Sequence, residues 1–217
     1  MNTSVGPDGL FRCHWACESP ELLEYHDVEW GYPVHSEIAL FEKLSLEGFQ
    51  AGLSWRTILH KRPHFRTAFH RFDFNEIVHF TERDVERLLQ NVGIIRHRGK
   101  IEALINNAKC VQKLVQREGS FGSFIWRYEP DAGTLPALPT ISRSPESLSL
   151  SKELKRQGWK FVGPTTVYAF MQSVGLVNDH KEGCVIRPKV ERARREFNES
   201  RLQGEVSRTN QRTCEGD

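Results

Sequence analysis

Apolar residues recur along this chain at helical rather than alternating spacing, and that period predicts a succession of helices. Over Glu37–Gly48, Ile38, Leu40, Phe41, Leu44 and Leu46 gather towards one side. Ser54 is placed to cap a helix over Trp55–His60; Pro63 interrupts the pattern and Phe65–Phe72 resumes it. Asp73 can cap a short helix through Phe80. Thr81-x-x-Asp84, close to a capping box, opens another with Val85, Leu88 and Leu89 inside. Lys100–Arg117 reads as a long helix striped by Ile101, Leu104, Ile105, Ala108, Val111 and Leu114. Glu129–Pro145, rich in proline, reads as a loop. Ser147–Gln157 and Thr165–Val174 read as two more helices, stopped at Gly158 and Gly175. No segment alternates convincingly and nothing repeats, so the expected class is all-α. Residues 1–10 are expected to be flexible, 11–188 to form the domain, and the charged residues 189–217 to be disordered or frayed.

Composition narrows the class without deciding the function. With 217 residues, 38% hydrophobic and 27% charged, the chain can bury the core of a soluble globular protein. No run approaches the roughly 18 apolar residues of a membrane span. The start, MNTSVGPDGLFR, lacks the basic and apolar regions of a secretory signal, so a cytoplasmic, membrane-free protein is expected. Five cysteines, at 13, 17, 110, 184 and 214, fit metal ligation or buried thiols better than a disulfide framework. The net charge is only +2, all of it from the eight Lys/Arg and six Asp/Glu after Ile186. Charge is nevertheless clustered. Trp55–Arg71 holds Arg56, Lys61, Arg62, Arg66 and Arg71 without an acid; Gly93–Arg117 holds six basic residues against Glu102 alone. Such stretches suit a phosphate-binding face, and equally two solvated helix faces.

Three constellations could carry chemistry. The first is Val92-Gly93-Ile94-Ile95-Arg96-His97-Arg98-Gly99-Lys100, set between two amphipathic helices. Its glycines allow a tight hairpin, and backbone N–H groups at the next helix start could hold a DNA phosphate beside Arg96, Arg98 and Lys100. An ordinary helix–helix turn with a basic tip fits the same residues. The second is Cys13 and His26 with His180 and Cys184, two thiolates and two imidazoles able to close a tetrahedral zinc site; His14, Cys17 and His35 are rivals. The third is Leu46-Glu47-Gly48-Phe49-Gln50-Ala51-Gly52-Leu53-Ser54-Trp55. Glu47 could accept hydrogen bonds from an exocyclic amine of a cationic base, with Tyr25, Trp30 and Trp55 as stacking faces. A solvated helix-end carboxylate and ordinary core tryptophans fit it too.

These segments together resemble the bacterial 3-methyladenine DNA glycosylase I family. The resemblance lies in Cys13-His14-Trp15, Tyr25-His26-Asp27-Val28-Glu29-Trp30-Gly31, the Leu46–Trp55 segment and Gly93–Ile101. It continues through Gly158-Trp159-Lys160-Phe161-Val162-Gly163, Met171-Gln172, Gly175–His180 and Gly183-Cys184. The motifs run in order from about residue 11 to 188. The resemblance implies a helix-hairpin-helix DNA glycosylase fold, with one structural zinc joining the N- and C-terminal segments through Cys13, His26, His180 and Cys184, and no organic cofactor. It implies catalytic and base-binding roles for Glu47, Tyr25 and Trp55, with Trp15 and Trp30 around the base. Gly52 and Leu53 would lie at the DNA, Leu53 wedging into the vacated space, and Arg96, Arg98, Gly99 and Lys100 would grip phosphates. The implied partner is duplex DNA containing alkylated adenine, the product free 3-methyladenine, and the enzyme monomeric. No lysine matches a lyase nucleophile, which implies a monofunctional hydrolase. Leu22 departs from the tyrosine of some members, which puts stacking on one side in doubt. A zinc-stapled module that binds damage without catalysis is the alternative.

Overall fold

In the computed structural model, which describes residues 3–131 and 142–214, a short β-hairpin is followed by helices. Strand β1 (Thr3–Val5) pairs antiparallel with β2 (Phe11–Cys13), Thr3 opposite Cys13 and Val5 opposite Phe11. The helices are α1 (Pro20–Val28), α2 (Glu37–Gln50), α3 (Trp55–Ala68), α4 (Phe74–Ile77), α5 (Glu82–Leu89), α6 (Arg98–Glu118), α7 (Phe121–Trp126), α8 (Pro145–Arg156), α9 (Pro164–Ser173) and α10 (Arg187–Cys214). Serines set many of the starts: Ser19, Ser36, Ser54, Ser120 and Ser144 each accept a backbone N–H from the first turn of α1, α2, α3, α7 and α8. The capping box of Thr81 and Asp84 forms at α5, Thr81 N–H donating to Asp84 at 2.9 Å.

Helix α2 runs through the middle, with α3, α6, α7 and α9 packed around it and every residue from Leu40 to Phe49 buried. A helix covered on all sides should be apolar on all sides. In α2 the exceptions are Glu42, Lys43, Ser45 and Glu47, and buried charges need either partners or a purpose.

The structure departs from the periodicity in four places. Residues 3–13 form the hairpin rather than a flexible leader, because Arg12 ties the turn to the domain: it donates to Asp8 at 2.7 Å and to Asp27 of α1 at 2.8 Å. Pro63 lies inside α3, at a cost of about 3 kcal/mol in a free helix; Ile58 before it and Phe65 after it are both fully buried on the same core and hold the helix continuous. That helix ends at Ala68, and His70, Arg71 and Phe72 make a left-handed turn with φ of 47°, 54° and 61° that returns Phe72 to the core.

The largest difference is α10. The charged segment after Pro188 continues as helix through Cys214 instead of fraying. Few apolar residues suffice: Val190 is fully buried, and Phe197 packs 4.5 Å from Trp126. Arg194 donates to Gly175 O at 2.8 Å and pairs with Glu129 at 3.0 Å. Helices α1 and α7, for which no period was legible, are short. Most of the expected Glu129–Pro145 loop falls on 132–141, outside the described residues. Among the described residues no helix is long and apolar enough to cross a membrane.

Candidate active site

The last turns of α2, the side of α1 and the start of α3 enclose a cavity of about 370 Å3. Its wall contains Trp15, Leu22, Tyr25, Trp30, Glu47 and Trp55, so the aromatic residues picked out in the sequence meet the carboxylate there. Tyr25 is the hub: its ring lies 5.3 Å from Trp55 and 6.4 Å from Trp15, which in turn meets Trp30 edge-on at 5.1 Å. Leu22, where some relatives would carry a ring, is a buried aliphatic part of the wall.

Glu47 is only 5% exposed and has no hydrogen bond or ion pair among the described residues. A buried carboxylate without a donor is uncommon. Burial pushes its pKa up to about 8, an effect that Lys43, one turn earlier on α2, only partly offsets. Lys43 is committed elsewhere: it pairs with Glu29 at 2.7 Å, and Arg62 of α3 pairs with the same carboxylate at 2.7 Å. Burial raises the Glu29 pKa, but the two cations outweigh it and hold the group below its usual range. Burial and the nearby Glu47 push the Tyr25 hydroxyl well above its ordinary pKa. The pocket thus offers, in Glu47, a buried carboxyl group without a partner among π-faces.

The sequence reading missed part of this wall. Gln172 and Asp179 line the cavity, and Asp179 accepts from Gln172 at 2.6 Å and from Tyr168 at 3.0 Å. Both lie in motifs that carried the resemblance, with no role attached. Lys43 had a legible signal, since it stands four residues before Glu47 on one helix face. Glu29 and Arg62 had none, being brought together from 33 residues apart.

The expected DNA residues divide. Gly52 takes φ +83°, a conformation that favours glycine, and turns the chain out of α2 so that Leu53 stands 40% exposed. Gly93 approaches His64 so closely that a Cβ would lie 2.9 Å from it. Arg96 is exposed and forms no ion pair among the described residues, and Gly99 lies in the first turn of α6. Arg98 and Lys100 do not fit the phosphate-gripping role. Arg98 is held by Glu82 and Glu86 of α5 and by Glu102. Lys100 is buried and donates inward, to Phe49 O at 2.8 Å and Ala51 O at 2.7 Å. The other basic stretch is also largely committed, with Arg66 on Glu42 and Lys61 on Val92 O.

Next to the pocket, Cys13, His26 and Cys184 place their ligand atoms within 4.8 Å of one another, all buried. His180 stands beside them, its ring 4.7 Å from that of His26. The outer nitrogens are engaged: His26 Nδ1 meets Asp27 at 2.7 Å and His180 Nδ1 meets Asn178 at 3.0 Å. His180 Nε2 is buried with no partner among the described residues. The rivals stand apart. His14 bonds Ser4 at 2.7 Å, Cys17 Sγ lies 3.9 Å from Ser4 O, and His35 packs on Phe197.

The family model of methyladenine glycosylases matches residues 15–187, the span that builds this pocket. The chain belongs to that family. Compared with other methyladenine glycosylases, it is 47% identical to DNA-3-methyladenine glycosylase 1 of Escherichia coli (strain K12), over 82% of this chain and 97% of that one. A crystal structure of a 3-methyladenine DNA glycosylase I superposes with a TM-score of 0.74 at 48% identity, covering 80% of this chain and 98% of that chain. A second, in complex with 3-methyladenine, gives 0.74 at 36% identity, over 79% and 94%.

Proposed function

We propose that this chain is a DNA-3-methyladenine glycosylase, which flips alkylated adenine out of duplex DNA and hydrolyses its N-glycosidic bond. The observation that carries this reading is Glu47, a buried carboxyl group without a protein partner in an aromatic cavity. Methylation at N3 makes adenine cationic and already a good leaving group. The protein need only extract the nucleotide, hold the cation and admit water. Glu47 supplies the counter-charge and accepts hydrogen bonds from the base; Tyr25 and Trp55, with Trp15 and Trp30, offer their faces. Neutral adenine cannot compensate a carboxylate desolvated in this way, so the same group selects the lesion. Water adds at the anomeric carbon as the C–N bond breaks; the bonding pair leaves with the base, which departs neutral, and the water's proton passes to solvent. An abasic site remains.

The turn at 90–100 supports a helix-hairpin-helix grip on phosphates, through its backbone and Arg96, with Leu53 as the wedge. Cys13, His26, His180 and Cys184 suit one zinc ion. Three ligand atoms are already clustered, and the fourth ligand, His180, has its outer nitrogen fixed and its inner one orphaned, as a ligand imidazole should. Four protein donors leave no open position, so the ion would be structural. Cysteines kept reduced for that role suit the cytoplasm, where the protein would act as a monomer.

The test is base release from methylated duplex DNA, with the products separated chromatographically. Free 3-methyladenine released catalytically is the expected result. Tight binding to the lesion with no released base would overturn this reading in favour of a non-catalytic damage-binding module.

A further inference from the structure

Lys100 directly follows the hairpin, yet its ammonium points into the protein. It is buried, and it donates to Phe49 O at 2.8 Å and Ala51 O at 2.7 Å, carbonyls at the carboxyl end of α2. Those acceptors have no helical donor of their own, and the negative end of the helix dipole favours a cation there. What this lysine holds is distinctive. Glu47 lies two residues before Phe49, and Leu53 two residues after Ala51. The intervening turn has little other support: residues 51–54 are all exposed, and a Cβ at Gly52 would meet nothing within 4 Å. Within the turn Leu53 N–H donates to Gln50 O at 2.6 Å. On the other side, the backbone N–H of Lys100 is bonded to His97, the residue that caps α6, at 3.2 Å. One side chain therefore connects the turn before α6 to the end of α2, between Glu47 on that helix and Leu53 in the turn that follows it.

We propose that Lys100 is a positioning residue, which fixes the Gly52–Leu53 turn relative to the DNA-gripping hairpin so that Leu53 enters the duplex in register with the pocket. This rests on the glycosylase reading. It separates Lys100 from phosphate binding: the lysine acts on base extraction through Leu53 and makes no contact with the DNA backbone.

Lys100→Met keeps the buried stem and removes the donor. At saturating methylated duplex, excision is expected to slow at least about tenfold, since small misplacements of a reacting assembly cost up to about a hundredfold. The salt dependence of duplex binding should keep its slope, and affinity for free 3-methyladenine should stay within about threefold, the pocket being intact. Placing the lesion opposite a mismatch, where extraction costs less, should shrink the deficit, and adding Leu53→Ala should slow excision little further. Wild-type excision rates in Lys100→Met would overturn the proposal. So would a salt slope reduced by about one, which would make the lysine a phosphate ligand, or an equal loss of free-base binding, which would make it general support. Should the Met variant not fold, Lys100→Gln, whose shorter and uncharged amide cannot reach both carbonyls, is put through the same comparison and decides by the same outcomes. Failure of the wild-type protein to release any base would count against the glycosylase reading, not against this role for Lys100.

Discussion

On the proposed reading, Glu47 ties selection to stability. Its pKa rises to about 8 from an ordinary 4.5, so between those limits the folded protein holds a proton that the unfolded chain has lost. Stability therefore falls as pH rises through that window, because an unpartnered carboxylate must be buried. Glu47→Gln should match wild type near pH 4 and become the more stable protein towards pH 8, by an amount on the order of a few kcal/mol; urea unfolding at the two pH values measures it. Function should move the opposite way. A cationic lesion is met by the ionised form, so kcat/KM for excision should rise with pH towards a plateau above about 8, and the glutamine variant should lose that dependence. Loss of a charge-assisted hydrogen bond should also slow it roughly 10- to 150-fold, about 1.5–3 kcal/mol. A variant with the wild-type rate and pH profile would make Glu47 no more than a buried helix residue.

Among the elements, the turn at 90–100 and α10 carry the expectations most changed by the structure. Of the basic side chains at 96–100, Arg96 alone is both exposed and without an ion pair among the described residues, while Arg98 lies among three carboxylates of α5 and α6. Arg96→Ala should reduce the salt slope of duplex binding by about one, and Arg98→Ala should change it little. Equal effects would return Arg98 to the phosphate face. Truncation after Pro188 should be costly, because it removes the fully buried Val190, Phe197 and the Arg194–Glu129 pair. Burying one large apolar side chain is worth about 1.5–3 kcal/mol, so the melting temperature should drop by many degrees; a truncated protein melting with the full chain would make α10 an appendage.

At the scale of the whole molecule, the cluster of Cys13, His26, His180 and Cys184 and the pocket share a wall. Trp30 lies 4.6 Å from His180 and Trp15 5.2 Å from His26, and both rings also line the cavity. Elemental analysis should find one zinc per chain. Cys184→Ser or His26→Ala should lower the melting temperature and the zinc content together, with excision lost only as the fold is lost; a folded, active preparation without metal would refute the ion's role. Much of this was readable before any coordinates. The helical period, the Ser54 cap and the Thr81–Asp84 box are local patterns that neighbouring residues alone determine, while the grouping of Tyr25, Trp30 and Trp55 around Glu47 was legible only through the family's motifs. The direction of each charge is not local. Lys100 meets carbonyls some 50 positions earlier, Arg62 reaches Glu29 across 33, and the apparently solvated residues after Pro188 find Trp126 and Glu129. Linear spacing counts basic side chains; only the packed chain decides which of them internal acceptors neutralise and which remain free to meet DNA. The reason is that burial makes any unpartnered charge costly, and the partners that relieve that cost are set by tertiary contact.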